Sequence, residues 1–181
     1  MAFLSPRGGR LPWGPSFEVV MRSVALFVAG LLVGGMMQPG IAETRRLPGV
    51  SLNHVLIRVE NLDAAKRFYM DKYGFPEAFS VQRAGGSPQF TYLQISRDTF
   101  LELQPATPDS PPGFGHIGLQ VENLDDAVRV LRDRGVNPRD PSVSERTLAR
   151  ISVSQGTPGV TFELLEFPPE SLGRKAINLW K

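Results

Sequence analysis

Residues 54–67 read HVLIRVENLDAAKR, and residues 116–129 read HIGLQVENLDDAVR. At this offset of 62, eight of fourteen positions are identical, including an unbroken Val-Glu-Asn-Leu-Asp. Duplication of a module of about 60 residues is the economical explanation. The rest of the chain can be laid out around these two anchors.

In the first module, the aliphatic and β-branched run His54–Val59 predicts a strand. Asn61 or Asp63 then caps a helix whose apolar stripe is Leu62, Ala65, Phe68 and Tyr69, and Gly74 ends it. Three strands follow, near Glu77–Gln82, Gln89–Ser96 and Thr99–Gln104, with turns at Gly85-Gly86-Ser87-Pro88 and Arg97-Asp98. The second module repeats the order: strand His116–Val121, helix Leu124–Arg134 stopped by Gly135, then strands near Pro141–Ser144, Thr147–Ser154 and Val160–Phe167. The unit is β-α-β-β-β, twice, and the class is α+β. The modules span 50–104 and 114–167, joined by a linker, 105–113, that holds four prolines. Residues 168–181 form a tail in which Ser171 is a candidate cap for a short helix.

Residues 1–42 read as a secretory leader. Val24 to Met37 is an unbroken run of apolar residues and glycine behind Arg22, and Gly40 and Ala42 place small residues before a cut after Ala42. Met21 is an alternative start that would leave a compact basic n-region. The apolar run is short for a bilayer span, which needs about 20 residues; an uncleaved anchor is the alternative reading. The mature chain then begins with the segment 43–49. It is expected to be exported, periplasmic or extracellular, with no stable membrane association once the leader is removed.

The whole chain of 181 residues carries a net charge of +2, but the leader holds that excess, through Arg7, Arg10 and Arg22 against Glu18. The remainder is balanced, which leaves no electrostatic footprint for nucleic acid. The absence of cysteine excludes a disulfide scaffold, a thiol nucleophile, a thiolate metal site and a lipid-modified leader.

The only two histidines are His54 and His116, equivalent positions of the two modules. The last strand of each module sets one carboxylate among apolar residues, Glu102 in Phe-Leu-Glu-Leu and Glu163 in Phe-Glu-Leu-Leu. Such a carboxylate is costly to bury unless paired or metal-bound. The alternative is that both glutamates face solvent on half-exposed strands. The His–Glu separations of 48 and 47 residues favour one shared site. Two imidazoles and two carboxylates suit one divalent ion: Ni, Zn, Co, Mn or Fe. At an octahedral ion two positions would remain for adjacent substrate oxygens, and Glu163 or Glu102 could detach to act as the catalytic base. Strand alternation puts Arg58, Tyr92 and Gln120 on inward faces, with Phe90 sharing the face of Tyr92. These four are the expected substrate-binding residues.

The repeated module and its His/Glu pattern resemble the vicinal oxygen chelate superfamily, which includes glyoxalase I, methylmalonyl-CoA epimerase, extradiol dioxygenases and the fosfomycin and bleomycin resistance proteins. The resemblance covers about residues 50–167. It implies that the paired modules form a cup-shaped, eight-stranded mixed sheet with flanking helices around a metal. The similarity is greatest to glyoxalase I (lactoylglutathione lyase), whose metal set is similar to His54, Glu102, His116 and Glu163 in that order. The stretch Gly113-Phe114-Gly115-His116-Ile117-Gly118 is similar to the surroundings of its second-module ligand. Arg58 matches an arginine that contacts glutathione there, with a rim salt bridge as the plainer alternative.

The departures from that family member fall on its glutathione site. Ala106 stands where it has Asn, Pro112 where some members have a basic residue, and Gly156-Thr157-Pro158-Gly159 replaces its acidic turn. No lysine-rich loop appears near Ser144–Ala149, although Arg146 and Arg150 are close. The resemblance thus implies a metal-dependent lyase or isomerase acting on an α-oxo or hydroxy carbonyl small molecule. A non-catalytic binding protein of the same fold and an extradiol-type dioxygenase are the alternatives. The expected partner is a small-molecule substrate. A homodimer stays open, because members of the superfamily close the cup within one chain or between two.

Overall fold

The computed structural model describes residues 47–181. The expected leader, its cut after Ala42 and the alternative start at Met21 lie outside the described residues. Eight strands form one mixed sheet: β1 (Ser51–Val59), β2 (Glu77–Gln82), β3 (Pro88–Ser96), β4 (Thr99–Pro105), β5 (Gly113–Gln120), β6 (Ser142–Val143), β7 (Arg150–Gln155) and β8 (Thr161–Glu166). Three helices accompany them: α1 (Leu62–Tyr73), α2 (Leu124–Asp133) and α3 (Leu172–Leu179). No helix among the described residues is long and apolar enough to cross a membrane.

The strand order is β2-β3-β4-β1-β5-β8-β7-β6. Read from the centre outward, the two halves are the same: the first strand, then the fourth, third and second of its own module. The sheet curls into a half-barrel whose pseudo-twofold passes between β1 and β5. Those two strands pair antiparallel, and each pairs parallel with the last strand of its own module.

The repeated Asn-Leu-Asp motif explains both crossover helices. Asn61 caps α1, its side chain accepting from the Ala64 amide at 2.9 Å, and Asn123 caps α2 by accepting from Asp126 at 2.9 Å. Of the two candidate caps for α1, Asn61 is therefore the one used. The leucine after each cap, Leu62 or Leu124, anchors its helix on the outer face of the sheet. Phe68, placed in the α1 stripe from sequence, is instead exposed. At about 100° per residue it points some 120° away from Leu62, whereas Ala65 and Tyr69 share the leucine's direction. They pack with Leu93, Leu101 and Leu103.

The second module departs from its sequence reading at one place. β6 has only two residues, and β7 begins at Arg150 rather than near Thr147. The residues between close a turn: Ser144 N donates to Ala149 O, Leu148 N donates to Ser144 O, and Leu148 takes the left-handed conformation (φ 57°). A strand cannot run through that geometry. The tail forms α3, capped by Ser171.

Candidate metal centre

The register of the duplicated strands decides which side chains meet. In the first module Glu102 lies beside Leu56, two residues after His54. In the second, Glu163 lies beside Gly118, two residues after His116. The same offset in both halves, brought together by the β1–β5 pairing, converges all four side chains on the inner face of the sheet. His54 Nε2 is 2.8 Å from His116 Nε2, 3.2 Å from Glu102 Oε2 and 3.6 Å from Glu163 Oε2. His116 Nε2 is 3.6 Å from Glu102 Oε2 and 3.8 Å from Glu163 Oε2. His54, Glu102 and His116 form the tighter group, with ligand atoms all within 4.8 Å of one another, and Glu163 joins it through the two imidazoles.

Two local features hold His54 in place. Between Leu52 and His54 the β1–β5 register shifts, and Asn53 is the extra residue of that bulge. Asn53 is fully buried. Its Nδ2 donates to Asp98 O (3.4 Å) and Gln120 Oε1 (3.2 Å), so its Oδ1 is left to accept from His54 Nδ1 at 2.9 Å. The proton therefore sits on His54 Nδ1, and the Nε2 lone pair faces the cluster. Opposite His54 in the ladder is Gly118. A Cβ on Gly118 would stand 2.1 Å from His54 Cε1, so only glycine lets the imidazole lie across β5.

Glu102 accepts from Tyr92 Oη (2.9 Å, to Oε2) and from Gln104 Nε2 (2.8 Å, to Oε1). Burial pushes its carboxyl up to about 7, against the opposing pull of those two hydrogen bonds and of Arg58. Burial, followed by the Glu102 charge, pushes Glu163 up to about 8. Burial lowers both imidazoles, His54 to about 3 and His116 to about 4; the nearness of the second imidazole further disfavours a proton on His54, and the Arg58 charge does the same to His116. Tyr92 is raised, mainly by burial and then by Glu102.

This donor set fits a divalent ion. Two neutral imidazoles and two carboxylates supply two negative charges when ionised. Ligands held about 2.0–2.2 Å from one centre stand about 3–3.5 Å apart when adjacent, and the separations above bracket that range. The burial that raises both carboxyls, with the added repulsion of Glu102 at Glu163, is the condition a dication relieves.

Above the cluster lies a cavity of about 170 Å³, which Phe90, Tyr92, Glu102, His116 and Glu163 all line. Arg58 and Gln120 do not line it. Arg58 donates to Phe114 O at 3.2 Å, and Gln120 turns to Asn53. The extra residue of a second register shift, between Val55 and Ile57, lies on β5, and the regular β1–β4 register keeps Arg58 on the face of His54, where its charge acts on Glu102 and His116. The two arginines near Ser144–Ala149 are engaged elsewhere: Arg146 donates to Gln82 O, and Arg150 pairs with Asp125 and Glu166. Sequence reasoning missed Asn53 and Gln104. Both precede or follow a ligand closely, but the bulge that turns Asn53 inward depends on β5.

Comparison with known proteins agrees with this architecture. The family profile of the Glyoxalase/Bleomycin resistance protein/Dioxygenase superfamily matches residues 51–164. No curated protein sequence matches the chain. Among solved structures, methylmalonyl-CoA epimerase from Mycobacterium tuberculosis is similar at 25% identity and TM-score 0.56, over 65% of this chain and 88% of that one. Streptomyces coelicolor methylmalonyl-CoA epimerase, in complex with 2-nitronate-propionyl-CoA, is similar at 22% identity and TM-score 0.58, over 70% and 99%. A hypothetical protein from Bacillus halodurans C-125 is similar at 18% identity and TM-score 0.56, over 66% and 95%.

Proposed function

This chain belongs to the Glyoxalase/Bleomycin resistance protein/Dioxygenase superfamily, and from that premise we propose that it is a metal-dependent enzyme. In this reading it moves a proton between neighbouring carbons of a small carbonyl compound held through two adjacent oxygens. The observation that carries the reading is the convergence of His54, Glu102, His116 and Glu163 beneath an aromatic-walled cavity. His54, Glu102 and His116 would hold the ion, with Glu163 as a fourth ligand able to detach. When bound, the ion polarises the carbonyl and offsets the negative charge that develops on its oxygen.

The chain's own residues do the rest. Glu163, which lines the cavity and whose carboxyl sits near 8 in the metal-free protein, accepts the proton from the carbon and returns it to the neighbouring one. Tyr92 and Gln104 hold Glu102 in place from both of its oxygens. Phe79, Phe90 and Phe167 keep water from the reacting carbons. The lactoylglutathione-lyase type of isomerisation is one reaction of this class and epimerisation another. The missing glutathione-site residues favour a substrate without that carrier. Export behind a leader cut after Ala42 belongs to the same reading, and the mass of exported protein, starting at Glu43, checks it.

The test is proton exchange in heavy water. The protein loaded in turn with Ni, Zn, Co and Mn is incubated with α-oxo and α-hydroxy carbonyl compounds, including methylglyoxal hemithioacetals, and C–H loss is followed by NMR. Metal-dependent exchange that Glu163→Gln abolishes supports the reading. Ligand binding without exchange for any metal contradicts it and makes the chain a binding protein. Oxygen consumption by the Fe-loaded protein with catechols contradicts it in favour of a dioxygenase.

A further inference from the structure

Helix α3 lies on the concave side of the sheet. Ala176 and Ile177 are buried in one cluster with Tyr92 and Phe100 of the first module and Leu165 and Phe167 of the second, so this single helix spans both halves of the cup. Its start is fastened. Leu172 N donates to Thr147 O at 2.9 Å, the buried Ser171 hydroxyl donates to Pro168 O, and Arg174 Nε donates to Phe167 O. Gly173 lines the cavity, and a Cβ there would stand 2.5 Å from the Phe167 ring. The turn that ends at Ala149 bridges the same opening, through Arg146 and Gln82 O. What remains above the four ligands is about 170 Å³, close to the roughly 150 Å³ of an apolar cavity that accepts benzene.

The walls are aromatic. Phe79 stacks on Tyr92 with ring centres 4.7 Å apart, and Phe90 meets Tyr92 edge-on. Among the described residues, the ionisable acids and bases along the lining, apart from the Tyr92 phenol, are Glu102, His116 and Glu163, with no lysine or arginine. A phosphate or carboxylate inside the cavity would have no lysine or arginine of the lining to pair with.

We propose that α3 is the specificity-determining wall of this site. It restricts the site to compact ligands: two adjacent oxygens at the cluster, joined to an uncharged apolar or aromatic group about the size of one benzene ring. This inference rests on the reading of the cluster as a divalent-metal site.

The probes are hydroxamic acids, which present two adjacent oxygens. Binding of benzohydroxamate and 2-naphthohydroxamate to the zinc-loaded protein is measured by calorimetry. The wild type binds the phenyl compound at least tenfold more tightly. Ile177→Ala, which opens the apolar cluster that backs the lining residues Tyr92, Leu165 and Phe167, brings the ratio toward one. Ile177→Val moves it in the same direction by less and serves where the alanine variant does not fold. Equal affinities in the wild type, or a ratio unchanged in a folded variant, overturn the inference. The zinc-free protein gives the same size limit through benzyl alcohol against 2-naphthylmethanol, followed by NMR. Failure to bind zinc overturns the metal reading alone, and an unselective alcohol pair overturns the size limit alone.

Discussion

Replacing Glu163 by glutamine keeps the shape of the protonated acid and removes the charge. In the metal-free protein the carboxyl is held near 8 by burial and by Glu102, against 4.5 for an ordinary glutamate. The sign follows from proton binding. Between those two values the folded state keeps a proton that the unfolded chain has lost, so folding becomes less favourable as pH rises. At 1.36 kcal/mol per unit, the penalty is about 3 kcal/mol at pH 7 and under about 1 kcal/mol at pH 5. Glu163→Gln escapes it. In chelator, urea unfolding at pH 5 and pH 7 should show the variant more stable by those amounts. In excess zinc the order reverses. The wild type gains about 2.7 kcal/mol at a hundredfold excess over its dissociation constant, and the variant, with a weakened site, gains less. A variant that is less stable than wild type in chelator at pH 7, or a difference that does not change with pH, would refute the assignment of Glu163 to a buried, crowded cluster.

Three further outcomes follow from the same geometry. Gly118→Ala drives a Cβ into the His54 ring; zinc affinity measured by competition with a chromophoric chelator should fall by more than tenfold. Asn53→Ala frees the His54 tautomer and should weaken zinc about 10–100-fold, while Asn53→Asp keeps the acceptor and recovers most of the loss in the same assay. Glu166 points away from the cluster, accepting from Leu124 N at 2.9 Å and from Arg150 at 2.7 Å. Glu166→Ala should therefore lower unfolding free energy by about 1–3 kcal/mol and leave zinc affinity unchanged in calorimetry.

Much of the architecture was legible because duplication writes it twice. Val59–Asp63 and Val121–Asp125 mark the two strand-to-helix corners, and both capping asparagines lie within them. The four candidate ligands stood out for a related reason: with only two histidines, at equivalent positions, the choice was narrow. What stayed hidden depends on pairing between distant strands. A bulge needs two strands to exist, so the inward turn of Asn53 cannot be read along β1 alone. Gly118 is one glycine of many until its partner across the ladder is known to be His54. Ser171 marked the start of α3 as a helix, but nothing in the tail says that it packs inside the cup. That depends on Phe79, Tyr92 and Phe167 leaving an apolar face to cover.

The most direct test of the account is the metal itself. Protein stripped with chelator and dialysed against zinc should retain one ion per chain. X-ray absorption at the zinc edge should then report two imidazole nitrogens and carboxylate oxygens at about 2.0–2.2 Å, with the imidazole signal lost in His116→Ala. Substoichiometric zinc, or a first shell without imidazole, would contradict the convergence of His54, Glu102, His116 and Glu163 on a single ion.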